Sequence, residues 1–467
     1  MPLKKRLIKT KLSFFLLTVT AICFAFVPAA SANLSLLRQS IIDYNIKSFK
    51  MSISDGSYKG AAGILLMGPK VARSFGLKAL INQDYMEAKE LNTRAKLLFA
   101  RAVSAITTRE KEEFTGEHSK RAGRLALESK EALGLARKYF EAYRSRLTPA
   151  VDDRLNRATC SELLDELLEG SIKKASHNLR DALGIFYNRC QGLPGNSPAL
   201  SPKNVKFVNY VFNEFTQKAS HTDKKRFDFG KQQMRRGTNP GSLWKNAVRM
   251  EGPLFISLIE KCLDKQKGDE YPVDPLLFIS LIKRESNFNS RAVSYVGAAG
   301  LTQIMPKTGI GLGMKNIFMP SYFEEAISLM ERQRKLRKGA KVLLSEVTAT
   351  NKTELAKEAR ELMQKSLNCG RERSMLFRRY KRELLKKDWD DRLKPSKSIE
   401  YGYKYFSGLM KAQNGDISLA LASYNAGPHR VKQYKGIPPY RETVSFRNMV
   451  LKYYREYLKE LNKGDDA

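Results

Sequence analysis

Apolar residues recur every three to four positions through much of residues 33–190, as in YMEAKELNTRAKLLFARAVSAI and HSKRAGRLALESKEALGLARKYFEAYRSRL. That period gathers them on one helical face and leaves Lys, Arg and Glu on the other. The segment is expected to be a helical N-terminal domain. No fixed-period repeat separates a bundle from a solenoid-like array. One glycine-containing interruption, SDGSYKGAAGILLMGPKVARSFG, reads as a helix–helix connection. In QGLPGNSPALSPKN, residues 191–204, three prolines and two glycines break the pattern and predict a linker. The helical period resumes in VKFVNYVFNEFTQKAS and SLWKNAVRMEGPLFISLIEKCLDKQ, giving a connecting region over 205–270. A further domain is expected over 271–467. Within it, residues 318–392 are so dense in Arg, Lys and Glu that they read as a charged helical insertion. The fold class is mainly α, with at most a small β-hairpin in the last domain.

Charge narrows the partners. The chain of 467 residues carries 83 Lys and Arg against 48 Asp and Glu, a formal net charge of +35. Such a field attracts polyanions: nucleic acid, anionic lipid or an acidic cell-wall polymer. The first residues separate these. MPLKKRLIKTK is basic, SFFLLTVTAICFAFV is apolar, and PAASA has the A-x-A form, so residues 1–32 read as a secretory signal cut after Ala32. The apolar stretch is short for a membrane anchor. Thr20, Ala21 and Ile22 before Cys23 do not resemble a lipid-attachment box. The expected location is a bacterial periplasm or cell envelope, which removes nucleic acid as a partner and keeps an anionic membrane surface as a possible one. Cys160, Cys190, Cys262 and Cys369 remain after the signal. They can form two bridges in three ways or stay as buried thiols, and their spacing fits no metal site. No metal or cofactor is implied.

One acid stands out. Asp274 and Pro275 form a helix start, a capping acceptor followed by proline at the first helical position. In the helix that follows, LLFISLIKRES, the residues Phe278, Leu281, Ile282 and Glu285 fall at i, i+3, i+4 and i+7. Glu285 thus shares a face with the apolar stripe, while Lys283 and Arg284 point elsewhere. Burial disfavours the ionised carboxylate and raises its pKa, so such an acid can still donate a proton near neutral pH. A structural Glu paired with an arginine is the alternative reading of this helix alone. Small residues follow at Gly297, Ala298, Ala299 and Gly300, where backbone or ligand can approach closely. Gln303 then supplies amide donors and an acceptor suited to a sugar.

The ordered positions Glu285–Ser286, Ser294, Gly297–Ala298, Gly300–Leu301, Gln303 and Met305–Pro306 resemble the signature of the lytic transglycosylases. These form a branch of the goose-lysozyme-like fold that cleaves peptidoglycan. Thr302 stands where that family usually has Met. SIEYGYKYF, residues 398–406, resembles a second motif, with Ser398 for Asn and Phe406 for Leu. LASYNAGPHRV carries the YNAGP element intact from Tyr424 to Pro428. PPYRETVSFRNMVLKYY resembles the family's closing helix, with Phe446 and Arg447 for Tyr and Val. The resemblance covers about 271–467. It implies a lysozyme-like, mostly helical catalytic domain.

The resemblance also implies a mechanism in which one Glu serves twice, whereas ordinary glycosidases use two carboxylates. Glu285 would protonate the oxygen between N-acetylmuramic acid and N-acetylglucosamine. It would then take the C6 hydroxyl proton as that oxygen closes to a 1,6-anhydro end. Tyr424 would orient Glu285. Ser286, Ser294, Gln303, Met305, Asn425 and Glu442 would bind the peptidoglycan glycan strand. The alternatives are a muramidase of the same fold that uses water and a non-catalytic cell-wall-binding scaffold.

Overall fold

The computed structural model describes residues 28–108, 116–176, 178–195, 197–220, 253–264 and 270–464. The expected signal through residue 27 and residues 221–252 of the expected connecting region lie outside them. Every named element among the described residues is helical. Bridges such as those of Ala299 with Val293 and Ile304 are isolated, so the mainly-α expectation holds. No helix among these residues is long and apolar enough to cross a membrane. Cys160, Cys190, Cys262 and Cys369 are all free and buried, which removes the bridged alternative.

The chain divides into two compact units, Met1–Leu80 with Leu147–Phe229 and Ile81–Arg146 with Gly230–Ala467. These units cut the chain elsewhere than the sequence boundaries do. The first holds α1 (Pro28–Ser54) and α2 (Pro69–Ser74). The hairpin α3 (Gln83–Thr107) and α4 (Glu117–Ser145) falls in the second unit, and the first resumes with α5 (Arg157–Lys174), α6 (Leu179–Cys190) and α7 (Val205–Lys218). Asn156 and Asn178 cap α5 and α6 by accepting from backbone N–H groups of the first turn. The described residues of 191–204 form a fastened loop within the first unit, not a domain linker. The Asn204 amide donates to the carbonyls of Ala199 (2.7 Å) and Gly184 (3.3 Å) and to Asn188 Oδ1 (3.0 Å), and Leu200 is buried.

In the second unit α8 (Pro253–Asp264) precedes α9 (Pro275–Ser286) and α10 (Pro306–Leu312). The charged insertion is a hairpin of two long helices, α11 (Ser321–Glu346) and α12 (Lys352–Leu384). The domain closes with α13 (Pro395–Ala412), α14 (Ile417–Ala426), α15 (Pro428–Gln433) and α16 (Arg441–Gly464). Asp274 caps α9 as the sequence suggests, accepting from Leu276 N and Leu277 N. The helix is buried more completely than one stripe implies, with Leu276 to Ile282 all inside. Its neighbours include Ile399, Phe406, Leu421 and Phe446, and the Phe278 ring meets Tyr403 edge-on at 5.0 Å. Each fully buried large apolar side chain here contributes roughly 1.5–3 kcal/mol.

The insertion is anchored by the α3–α4 hairpin. Ala102, Ala105, Ala122 and Ala126 pack with Ala340, Ala356 and Ala359 in one core. These small side chains let the helices approach closely. A Cβ on Gly123 of α4 would collide with the Lys352 carbonyl at the start of α12.

One backbone path occurs twice, and the sequence does carry a repeat. SYKGAAGILLMGPK, residues 57–70, and SYVGAAGLTQIMPK, residues 294–307, follow the same course. Gly60, Gly63 and Leu66 have φ of 82°, 74° and 50°; Gly297, Gly300 and Gln303 have 90°, 81° and 48°. Ala62 bridges Met67 as Ala299 bridges Ile304. Each path ends on a DDRL segment whose Arg and first Asp form a buried pair, Arg154 with Asp152 and Arg392 with Asp390, both at 2.7 Å. Arg154 Nη1 donates to the Gly60 carbonyl (2.8 Å), and Arg392 Nη1 to the Gly297 carbonyl (3.3 Å). The glycines are required here. A Cβ at Gly63 or Gly300 would strike the carbonyl oxygen of Arg154 or Arg392.

Candidate active site

Glu285 lies in the last turn of α9, which ends at Asn287 in the left-handed conformation (φ 48°). The turn brings Glu285 to a pocket of about 490 Å³ shared with Ser286, Ser294 and Gln303. Burial pushes the Glu285 carboxyl up to about 8; Arg284 opposes the rise and the negative charge of Glu442 adds to it. The group is therefore a protonated acid around neutral pH at the edge of an open cavity, which equips it to deliver a proton.

The wall opposite comes from the repeated turn. Ser294 Oγ accepts from Ala298 N (3.0 Å) and Val296 N (3.3 Å), leaving its own proton to the pocket. Gln303 donates through Nε2 to the carbonyls of Gly300 (2.8 Å) and Ala292 (3.0 Å). Its amide donors are thereby used to hold the turn, and its carbonyl oxygen is the group left for a ligand. Ser286 Oγ donates to the Ile282 carbonyl at 3.3 Å.

The remaining expected residues stand behind or beside this pocket. Met305 packs with the apolar cluster of Phe323, Phe377 and Tyr380 and does not line it. The Tyr424 hydroxyl donates to the Thr302 carbonyl (2.7 Å), so its proton fastens the turn and is not directed at Glu285. Its ring lies among Tyr405, Phe406 and Phe446, the last stacked at 6.4 Å. Asn425 Oδ1 accepts from the Thr443 hydroxyl (2.9 Å), tying α14 to α16. Glu442 is exposed in the first turn of α16 and reaches Glu285 through its charge.

Lys283 and Arg284 line the pocket, contrary to the expectation that they point away. Lys283 donates to the Tyr457 hydroxyl (3.2 Å) and lies over the rings of Tyr453 and Tyr457 at 5.4 and 5.1 Å. Met449 and Tyr453 of α16 complete the lining. Their i, i+4 spacing on the closing helix was the available signal for this wall.

Two departures from the family pattern are one structural unit. Thr302 Oγ1 donates to the Ser398 carbonyl (2.9 Å), and Thr302 N donates to Ser398 Oγ (3.3 Å). Both residues are buried. A third departure, Arg447, is buried and donates through Nε to Ser418 Oγ (3.0 Å).

A helical domain with a proton-bearing carboxyl at a polar pocket defines a candidate acid–base enzyme. Residues 263–389 and 349–444 match the family model of the transglycosylase SLT domain. A transglycosylase of Enterobacteria phage PRD1 is 42% identical over 52 residues, 11% of this chain and 20% of that protein. This chain thus spans about a fifth of the curated relative it matches. Among solved structures, the lytic transglycosylase Slt of Pseudomonas aeruginosa is 14% identical, with 92% of this chain and 73% of that one covered and a TM-score of 0.24. The 70 kDa soluble lytic transglycosylase of Escherichia coli is 14% identical, with 91% and 72% covered and a TM-score of 0.25.

Proposed function

We propose that the protein is a peptidoglycan lytic transglycosylase that cuts the bond between N-acetylmuramic acid and N-acetylglucosamine without water. The observation that carries this reading is Glu285, kept protonated near neutral pH by burial while it borders an open pocket. Glu285 gives its proton to the bridging oxygen as that bond breaks. The ionised carboxylate, stabilised by Arg284, then removes the proton of the C6 hydroxyl as its oxygen closes on the anomeric carbon. The product is a 1,6-anhydro end, and Glu285 recovers its proton. The Tyr424 hydroxyl keeps its proton on the Thr302 carbonyl and lies within charge range of Glu285. Ser294 and the Gln303 carbonyl oxygen bind sugar hydroxyl and amide groups, Ser286 and Glu442 line the approach, and Met305 and Asn425 support the turn and α16. The SLT family match of residues 263–444 supports the substrate class. A signal at 1–32 and action in the cell envelope belong to the same reading.

A hydrolytic muramidase has one observation in its favour: Glu442 adds a second carboxylate within electrostatic reach of Glu285, where it could hold a water. Mass spectrometry of digested peptidoglycan separates the two. Anhydro ends are expected from the native protein and none from Glu285→Gln. Reducing ends in their place would overturn the lyase reading.

A further inference from the structure

The repeat reaches beyond one turn. Lys78 N and Leu80 N donate to Asp153 and Asp152 as Asn316 N and Phe318 N donate to Asp391 and Asp390. After each DDRL segment comes a helix of 18 residues, α5 or α13. The next helix carries Tyr187–Asn188 in one case and Tyr424–Asn425 in the other. Asn188 accepts from Asn204 at 3.0 Å, as Asn425 accepts from Thr443 at 2.9 Å. Tyr187 lies against Phe207 and Tyr424 against Phe446. The first unit thus repeats the frame of the region that matches the SLT model.

That copy has kept its frame and lost its chemistry. Glu285 stands nine residues before Ser294, and nine residues before the matching Ser57 stands Ser48. Gln303 is matched by Leu66, which holds the same positive φ. Glu442, beside Thr443, is matched by Lys203, beside Asn204. The matched positions thus carry no counterpart of Glu285 to deliver a proton and none of Gln303 to bind a sugar.

What the copy still supplies is its hairpin. α3–α4 lies between the PK helix and DDRL of the first copy, as α11–α12 does in the second. Between the two hairpins runs a groove of about 560 Å³. Phe99 of α3 and Val342 of α11 give it an apolar floor; Arg334, Arg337, Lys338 and Lys341 rim it. The four cations fall at i, i+3, i+4 and i+7 of α11, and no acid occurs from Arg332 to Ser345. All four are exposed, and none forms a salt bridge among the described residues. Like charges so spaced repel one another and weaken a helix. The fold does not need them, because Ala340 and Leu344 make the core contacts of this part of the helix. Seven residues of helix extend over about 10 Å, which suits charges spaced along a polymer better than one compact anion. Arg334 is also within charge range of Tyr440, just before α16.

We propose that the N-terminal copy no longer cleaves, and that its hairpin and the inserted hairpin form a groove that holds a carboxylate-bearing peptidoglycan strand. The identity of the polymer rests on the transglycosylase reading above. The test uses the full chain with Glu285→Gln, so that bound polymer stays intact, and sedimentation with purified peptidoglycan sacculi at low ionic strength. R334Q/R337Q/K338Q/K341Q should weaken binding about tenfold. The charge-matched control R137Q/K138Q/R332Q/K335Q should weaken it no more than about twofold. Amidating the carboxylates of the sacculi should remove the difference. Equal losses in both variants, or a difference that survives amidation, would overturn the groove. So would groove-dependent binding to phosphatidylglycerol vesicles with none to sacculi. Residual cleavage by the Glu285→Gln chain would overturn the inert copy. If the native chain releases no fragments at all, the transglycosylase reading fails, and the binding comparison still decides the groove.

Discussion

Glu285 behaves differently on the two sides of pH 8. A general acid with its pKa raised to about 8 is loaded below that pH and empty above it. Turnover under subsaturating substrate should therefore fall along an alkaline limb centred near pH 8, read from a pH–rate profile. Glu442 contributes to the rise, so Glu442→Gln should move that limb to lower pH. An unmoved limb would mean that the two carboxylates do not sense each other. The same shift links to stability. The folded chain holds the Glu285 proton more tightly than the unfolded chain, whose pKa stays near the ordinary 4.5. Stability attributable to this group is thus greatest below pH 4.5 and declines as pH rises to about 8. Glu285→Gln removes that decline. Its melting temperature should exceed that of the native chain by a margin that grows from pH 5 to pH 8, reflecting on the order of 2–4 kcal/mol at the upper end. A margin independent of pH would show that the carboxyl titrates as if exposed.

At the scale of elements, what could be read from the sequence was whatever depends on neighbours in the chain. Asp274 and Pro275 announce α9 because capping and the proline φ are local. The insertion is legible as helix because its propensity is local too. The fate of Lys283 and Arg284 was not legible, since α16 lies over 150 residues away and its Met449 and Tyr453 make the pocket wall on that side. Residues 191–204 looked like a linker because proline and glycine do not reveal that Asn204 ties the loop down. The repeat was present in plain letters, GAAG with PK and then DDRL. It has no fixed period because each copy is split by a long hairpin, and the catalytic residues differ. Thr302 and Ser398 show the limit most clearly: each is a departure by itself, and only the fold joins them. Thr302→Met should cost about 1–3 kcal/mol, by crowding Gly402 and removing the donor to Ser398. In a double-mutant cycle with Ser398→Asn, measured by denaturant unfolding, the two losses should couple by at least about 0.5 kcal/mol. Simple additivity would mean the pair forms no unit.

For the whole molecule, duplication explains an arrangement that a catalytic domain with an appended helical domain does not. Two copies of one frame each carry a hairpin at the same place, and the hairpins meet each other in a core of alanines. A hairpin alone has one apolar face to bury. Pairing the two covers both, as when Arg360 of α12 reaches the Ala105 carbonyl of α3 (3.1 Å) and Lys130 of α4 reaches the Val347 carbonyl (2.8 Å). Gly123 is a point of close approach in that contact, where a Cβ would meet the Lys352 carbonyl. Gly123→Val places two methyl groups where the Lys352 carbonyl stands, and α4 must move away from α12. The α9–α16 core that holds Glu285 contains none of these residues. Limited proteolysis should then cut the Gly123→Val chain within 81–146 and 321–384 well before the native chain. Its release of fragments from short, peptide-free glycans should persist, while binding to sacculi falls as it does when the groove cations are removed. Loss of both activities together would show instead that the hairpins hold the catalytic frame in shape.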